Sequence, residues 1–287
     1  MFAADFRDRV VHHFIYREII DFWDKRFIYD SYSCRNNKGT HFGIKRMSKF
    51  LRAVSSNYQA EAWIMKLDLK SYFINIDRNI IWQKCHWGVQ KQFRGDHQKY
   101  WRQTLLYLLR IVIFADPTLE VEIRGDRLLW HKLPRNKSLF YARGNCGFPI
   151  GNLTSQLFSN IYLHGLDCLI KHKLGIKYYG RYVDDFVLMH QSKKRLLQVK
   201  KQIEIFLASA LHLQLHQQKI YIQPSKYGVA FVGGIIKPYR ILPGKRLVKK
   251  YLLARRKKYF LHQIKSWNSY LGHLSNYDSW RLVNRVL

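Results

Sequence analysis

Three acidic residues stand out because their neighbours are poor company for charge. Asp68 closes the apolar run Trp63-Ile64-Met65-Lys66-Leu67-Asp68-Leu69, and Asp184-Asp185 lies between two apolar runs in YYGRYVDDFVLMH (178–190). Carboxylates inside hydrophobic, strand-favouring sequence are costly unless a cation satisfies them. Two kinds of cation are open: an Arg or Lys, giving a structural ion pair, or Mg²⁺, which takes a few carboxylates and keeps water and phosphate oxygens as its other ligands. Two such ions, about 3.5–4 Å apart, would lower the charge on an attacking 3′-hydroxyl and hold a leaving pyrophosphate. That chemistry needs in-line positioning and charge neutralisation rather than a covalent intermediate. Without metal, adjacent Asp184 and Asp185 repel, which raises the pKa of one.

The elements that must position these acids are legible around them. Residues 63–69 alternate in polarity and read as a buried strand ending near Asp68, while 178–190 reads as a β-hairpin with Val183-Asp184-Asp185 at its tip. Asp5 to Ile20 has helical spacing with Phe6, Val10, Phe14 and Ile15 as its apolar face, and Tyr100 to Phe114 is also helical. Gly144, Gly147, Pro149 and Gly151 make an extended loop. Asn152 then caps a helix carrying Leu153, Leu157, Ile161, Leu166 and Ile170, which Gly175 stops. Ser192 caps a helix with Leu196, Val199, Ile203 and Phe206, and two or three short strands follow, ending in FVGGII (231–236). From Lys245 the chain is helical and basic, with Leu253, Phe260, Ile264, Trp267, Leu271 and Leu274 as a buried seam.

Composition bounds the partners. The 287 residues are 47% hydrophobic, enough for a sizeable core, and 50 Lys+Arg against 19 Asp+Glu leave a net charge of +31. Such an excess calls for a polyanion, and nucleic acid is the usual one. It is also uneven: after Glu204 the only acid is Asp278, against 15 Lys or Arg that include Lys249-Lys250 and Arg255-Arg256-Lys257-Lys258. No run approaches the ~18 uncharged apolar residues of a membrane span. Charges at Asp5, Arg7, Asp8 and Arg9 leave no signal-peptide core, so a soluble, cytoplasmic chain without a membrane partner is expected. Cys34, Cys85, Cys146 and Cys168 lie too far apart for a zinc knuckle or disulfide framework and read as buried free thiols. His212 and His216, in apparent strand context, read as surface residues rather than zinc ligands.

Tyr182-Val183-Asp184-Asp185 is the Tyr-x-Asp-Asp signature of reverse transcriptases, and its neighbours occur in the family's order. KLDLKSYFINID (66–77) resembles the first metal motif and GFPIGNLTSQLFSNIYLHGLD (147–167) the nucleotide- and template-binding loop and helix. LHLQLHQQKIYIQP (211–224) is similar to the fourth palm motif and FVGGIIKP (231–238) to the primer grip. DFRDRVVHH (5–13) and FIYDSYSCRNNKGTH (27–41) resemble fingers segments of bacterial members, so the likeness runs along nearly the whole chain. It implies an α+β, right-hand polymerase fold: fingers in 1–60, palm in 61–79 and 141–240, an insertion at 80–140, and a small helical thumb in 241–287. The implied activity is RNA-directed DNA synthesis from deoxynucleoside triphosphates, with an RNA template, a DNA or RNA primer and two Mg²⁺ ions that Mn²⁺ can replace.

Residue by residue, the resemblance makes Asp68 and Asp184 metal ligands, Asp185 a weaker or transient one, and the Leu69 carbonyl a further ligand. Phe73 takes the place of the steric gate that excludes a ribose 2′-hydroxyl, or is a plain core aromatic. Lys219 matches the lysine sometimes assigned as proton donor to pyrophosphate, or is a solvated surface lysine. Arg7 and Arg9 would meet the triphosphate, Ile150, Gly151 and Gln156 the nascent base pair, and Arg35 and Lys38 the template. Ile150-Gly151-Asn152-Leu153-Thr154-Ser155-Gln156 is most similar to the diversity-generating retroelement branch, which copies RNA with errors at adenines and works with a small basic accessory protein. Other members carry a basic strand before the segment resembling DFRDR, so the chain is expected to be short at its amino end. The rival expectation is a catalytically impaired, maturase-like RNA-binding protein.

Overall fold

The computed structural model describes residues 4–119, 134–256 and 261–284. The chain divides into two units that alternate along the sequence: Met1–Cys34, Leu69–Gly175 and Val199–Gln217 form the first, and Arg35–Asp68, Ile176–Gln198 and Gln218–Leu287 the second.

The second unit is built on the strands expected around the acids. β1 (Trp63–Asp68) lies inside a four-stranded antiparallel sheet, between β3 (Asp185–His190) and β4 (Tyr221–Pro224), with β2 (Tyr178–Tyr182) outside β3. Ile64, Met65 and Leu67 are completely buried, as a central strand with covered faces requires. The helix α2 (Thr40–Val54) packs on the same sheet against β2 and β3 and buries Ile44, Met47, Leu51 and Val54, spaced three or four residues apart. Its Phe50 ring meets Tyr178 at 5.7 Å.

A second antiparallel sheet follows, with β5 (Val229–Phe231), β6 (Gly234–Lys237) and β7 (Arg240–Pro243) as a meander. A Cβ on Gly234 would stand 3.0 Å from Ile44 Cδ1 and 3.1 Å from the Tyr277 ring. A residue without a side chain is what lets this strand lie against α2. The chain then forms α8 (Lys245–Arg256), α9 (Leu261–Leu274) and α10 (Trp280–Asn284). The Ile241 N–H donates to the Asp278 carboxylate and the Asp278 N–H to the Ile241 carbonyl, which fastens the segment after α9 to β7. The expected apolar seam is only partly present. Leu274 is buried, but Leu253 is 49% exposed and Tyr251 and Ala254 face inward instead. Lys257, Lys258 and Phe260 lie outside the described residues, as do the side chains of Arg256 and Ile264.

The first unit is helical. It contains α1 (Phe6–Asp24), the short α3 (Tyr72–Asn75), α4 (Arg78–Gln92), α5 (Lys99–Phe114), α6 (Leu153–Cys168) and most of α7 (Lys193–Leu211). α1 buries Ile15, Ile19, Phe22 and Trp23, whereas Phe6 and Val10 of the expected apolar face are 69% and 56% exposed. The burial starts later in the helix, although Phe14 already meets the Trp101 ring of α5 at 5.5 Å. Asp77 caps α4 by accepting the N–H groups of Asn79 and Ile80. Arg78, itself buried, donates to the Gly147 and Phe114 carbonyls and so anchors the loop that leads to Ile150. His212 and His216, read in strand context, lie in a loop instead. His212 has φ +51°, Leu215 makes one bridge to Leu69, and a 3₁₀ turn spans 217–219. Leu213 and Leu215 are buried in alternation, which imitates a strand in sequence.

All four cysteines are free, and Cys85 is buried with its thiol pushed strongly upward by burial. No helix among the described residues is long and apolar enough to cross a membrane.

The Tyr162 hydroxyl accepts the Asp77 N–H at 3.3 Å and donates to the Leu211 carbonyl at 2.6 Å inside the first unit. Tyr162→Phe leaves that carbonyl buried and unpaired, so it should cost about 1–3 kcal/mol. Urea unfolding followed by circular dichroism would read the loss, and an unchanged midpoint would contradict this account.

Candidate active site

Asp68 is the last residue of β1 and stands opposite Asp185, the first of β3, in the antiparallel register. Side chains so placed have Cβ atoms about 4.5–5.5 Å apart, and like charges there repel. Val183 and Asp184 form the two-residue connection between Tyr182 and Asp185, which pair across β2 and β3. Val183 has φ +55°, a conformation that a β-branched residue adopts only under constraint. Arg181 supplies one: it is fully buried, and its guanidinium donates to the Val183 carbonyl at 2.9 Å. The strained turn places Asp184 beside the other two acids.

Two lysines answer the carboxylates. Lys219 Nζ lies 2.9 and 3.1 Å from the two oxygens of Asp68. Lys66 Nζ lies 3.0 Å from Asp185 Oδ2. Lys66 and Asp68 are two residues apart and share one face of β1, and Asp185 is the diagonal neighbour of Lys66 across the strand pair. Asp185 Oδ1 is buried without a hydrogen-bond partner. Burial pushes the Asp185 carboxyl up to about 6. The Asp184 and Asp68 charges add to the rise and Lys66 opposes it. Burial also raises Asp184, helped by the charge of Asp68 and opposed by its own backbone N–H, Lys219 and Arg181. Among the described residues no three His, Cys, Asp or Glu side chains gather as a ready-made metal cage.

The expected site residues fall in both units. Asp68, Asp184, Asp185 and Lys219 come together in the second, which also holds Arg35 and Lys38. The latter two form one turn before α2, with the Lys38 N–H donating to the Arg35 carbonyl and the Lys38 ammonium 5.9 Å from the Phe42 ring centre. Arg7, Arg9, Leu69, Phe73, Ile150, Gly151 and Gln156 belong to the first unit. Arg7 and Arg9 are exposed on the first turns of α1, which is joined to α6 by a 2.7 Å hydrogen bond between His12 and Thr154. Leu69 is buried at its bridge to Leu215. Phe73 is half-buried, and its carbonyl accepts the Phe148 N–H at 2.8 Å, which brings α3 to the loop carrying Ile150 and Gly151. Ile150 is 58% exposed, Gly151 has φ +134°, and Gln156 Oε1 accepts from the Cys34 thiol at 2.9 Å.

Sequence reasoning missed Lys66 and Arg181. The signal for each was present. Lys66 is the charged residue on the Asp68 face of an otherwise apolar strand, and Arg181 is an arginine inside a hairpin that must be buried.

With this geometry in view, comparison with known proteins is decisive on kinship. Residues 3–236 match the family model described as reverse transcriptase (RNA-dependent DNA polymerase). The chain belongs to the reverse transcriptase family. Its α+β fold is the right-hand polymerase fold of that family. Solved structures with similar folds include apo telomerase from Candida tropicalis truncated from its C-terminal domain, at 13% identity and a TM-score of 0.54 over 81% of this chain and 44% of that one. The C. tropicalis telomerase in complex with a TWJ fragment of telomeric RNA matches at 12% identity and 0.57, over 83% and 40% of the two chains. The Candida albicans telomerase with the same kind of RNA fragment matches at 14% and 0.52, over 86% and 43%. The chain thus spans less than half the length of these telomerases. No curated protein sequence gives a significant match.

The raised pKa of Asp185 carries a sign that can be measured. The folded state holds its proton up to about pH 6, whereas the unfolded chain releases it near pH 3.9. Between those values the native state binds more protons, so Asp185 costs stability as pH rises through the window and costs most above it. Asp185→Asn, unfolded in the presence of a chelator, should gain up to about 3 kcal/mol at pH 7–8, with the gain vanishing towards pH 4. A difference that does not change with pH would contradict the assignment.

Proposed function

We propose that the protein is an RNA-directed DNA polymerase that adds deoxynucleotides to a primer on an RNA template by two-metal-ion phosphoryl transfer. The observation that carries this reading is the meeting of Asp68, Asp184 and Asp185 at the end of adjacent strands, in a family whose name describes that reaction. The donor set suits a hard divalent cation. Asp185 has a buried oxygen with no partner, and two lysine ammoniums already bring positive charge to these carboxylates. Mg²⁺ takes one or two protein carboxylates and completes its octahedron with water and phosphate, so no full protein cage is required. Asp68 and Asp184 would hold it, with the Leu69 carbonyl, and Asp185 would contribute through Oδ1. When bound, it would supply charge neutralisation at the attacking hydroxyl and the leaving pyrophosphate.

The chain's own residues do the rest of the work in this reading. Lys219 is mostly exposed and reaches Asp68 through three rotatable donors, so it can turn to a pyrophosphate oxygen and give up a proton there. Phe73 would exclude a 2′-hydroxyl, Arg7 and Arg9 would bind triphosphate, and Arg35 and Lys38 would hold template phosphates. The basic helices from Lys245 onward would grip the duplex through its phosphates, because an RNA–DNA hybrid is recognised by shape and backbone. Ile150, exposed and apolar where an amide could otherwise hydrogen-bond, favours a tolerant, error-prone member of the diversity-generating retroelement branch.

Extension of a DNA primer on an RNA template with Mg²⁺ tests the proposal. Wild type should extend and Asp184→Ala should fall by at least about 10²-fold, as expected when a group stabilising the transition-state charge is lost. Equal extension by both would remove the site assignment, and none by either would favour an RNA-binding protein without catalysis. Sequencing the product on an adenine-containing template should show errors concentrated at adenines; uniform low error would overturn the sub-family assignment.

A further inference from the structure

Lys66 bonds in two directions at once. Its ammonium lies 3.0 Å from Asp185 Oδ2 and 2.7 Å from the carbonyl oxygen of Ala230, the middle residue of β5. The Lys66 and Asp185 side chains are both mostly buried where they meet, whereas the bond to Ala230 lies at an exposed position. Tyr221, the cross-strand partner of Lys66 between β1 and β4, has its hydroxyl within hydrogen-bonding reach of the Ala230 N–H. The two successive peptides that flank Ala230 in the second sheet are thus held by neighbouring residues of the first, and one of those residues also holds a carboxylate of the cluster. The other oxygen of that carboxylate, Asp185 Oδ1, is buried and has no partner.

We infer that Lys66 is a positioning residue that limits Asp185 to one free oxygen and ties it to the β5 peptide at Ala230. This rests on the reading of Asp68, Asp184 and Asp185 as a divalent-cation site. An ammonium on Oδ2 stops the carboxylate from rotating to offer both oxygens to one ion. It also opposes the charge of any second cation drawn to Asp185. Octahedral Mg²⁺ tolerates little error in ligand direction, so a carboxylate free to chelate would hold metal more tightly and in a geometry less suited to turnover. Because Ala230 belongs to the ribbon that continues into FVGGIIKP, the strut also couples the carboxylate to the segment resembling a primer grip.

The consequence is a split of opposite signs, which separates this role from a merely structural one. Lys66→Met keeps the aliphatic stem and removes the charge, and Lys66→Arg restores a cation. Mn²⁺ binding to the full chain, without nucleotide, is followed by electron paramagnetic resonance, with Asp184→Ala as the control that assigns the signal to this site. Lys66→Met should bind Mn²⁺ about 10-fold more tightly while its kcat for primer extension falls about 10-fold or more, the usual range for a residue supporting a metal ligand. Lys66→Arg should lie closer to wild type in both. Damage to packing would weaken both properties together, so weaker or equal Mn²⁺ binding by Lys66→Met overturns the inference, as does extension at the wild-type rate. If wild type extends no primer, the polymerase reading fails alone, and the Mn²⁺ comparison still decides the role of Lys66.

Discussion

Carboxylates crowded at the end of a buried strand pair repel one another and lose hydration together, and the second unit is organised around that cost. Asp68 and Asp185 are directly opposed, and Asp184 adds a third charge from the turn. Burial is the largest cause of the raised pKa of both hairpin acids, and the neighbouring carboxylates add to it. The compensation is local and specific. Lys219 takes both oxygens of Asp68, Lys66 takes one oxygen of Asp185, and buried Arg181 lends its charge to Asp184 while pinning the carbonyl of Val183. The cluster is thus balanced by the chain's own cations, while Asp185 Oδ1 is left without a partner.

The hydrophobic part of the sheet fixes where those charges stand. Ile64, Met65 and Leu67 are completely buried in a strand flanked by β3 and β4. A slip of one residue in β1 would turn that whole set to the opposite faces, and Asp68 would leave Asp185. Such a slip would also turn Lys66 and Asp68 to the face on which Met65 and Leu67 are buried, so the apolar packing of the strand holds the acids in register. Val183 illustrates the same trade on a smaller scale. Its positive φ is unfavourable for a branched side chain, and it persists because the paired strands and the Arg181 bond leave the turn no alternative.

Much of this was legible from residue order. β1 and the β2–β3 hairpin announce themselves through short apolar runs around the acids, and α5 and α6 appear at their expected places. The readings that failed share a cause. In α1 and in the basic helices, apolar spacing identified a helix but not which apolar residues face inward, since Phe6, Val10 and Leu253 have the right periodicity and yet are exposed. In 212–219 the alternation of Leu213 and Leu215 is real, yet the backbone turns out of the strand at His212 and again at 217–219. For Lys219 the sequence leaves a proton donor and a solvated lysine equally open, and the structure places it, mostly exposed, on both oxygens of Asp68.

By itself the sequence determined that three acids lie within strand-forming segments, that their charge demands a cation, and that the chain carries the order of motifs of its family. These are properties of composition and local spacing. The tertiary structure alone decided which cation meets which oxygen: Lys66 on Asp185 and on Ala230, Lys219 on Asp68, Arg181 beneath the turn. Those pairings join residues as far apart as 66 and 230, and they depend on strand register and on the few ångströms a side chain can reach. Local propensity carries no information about either.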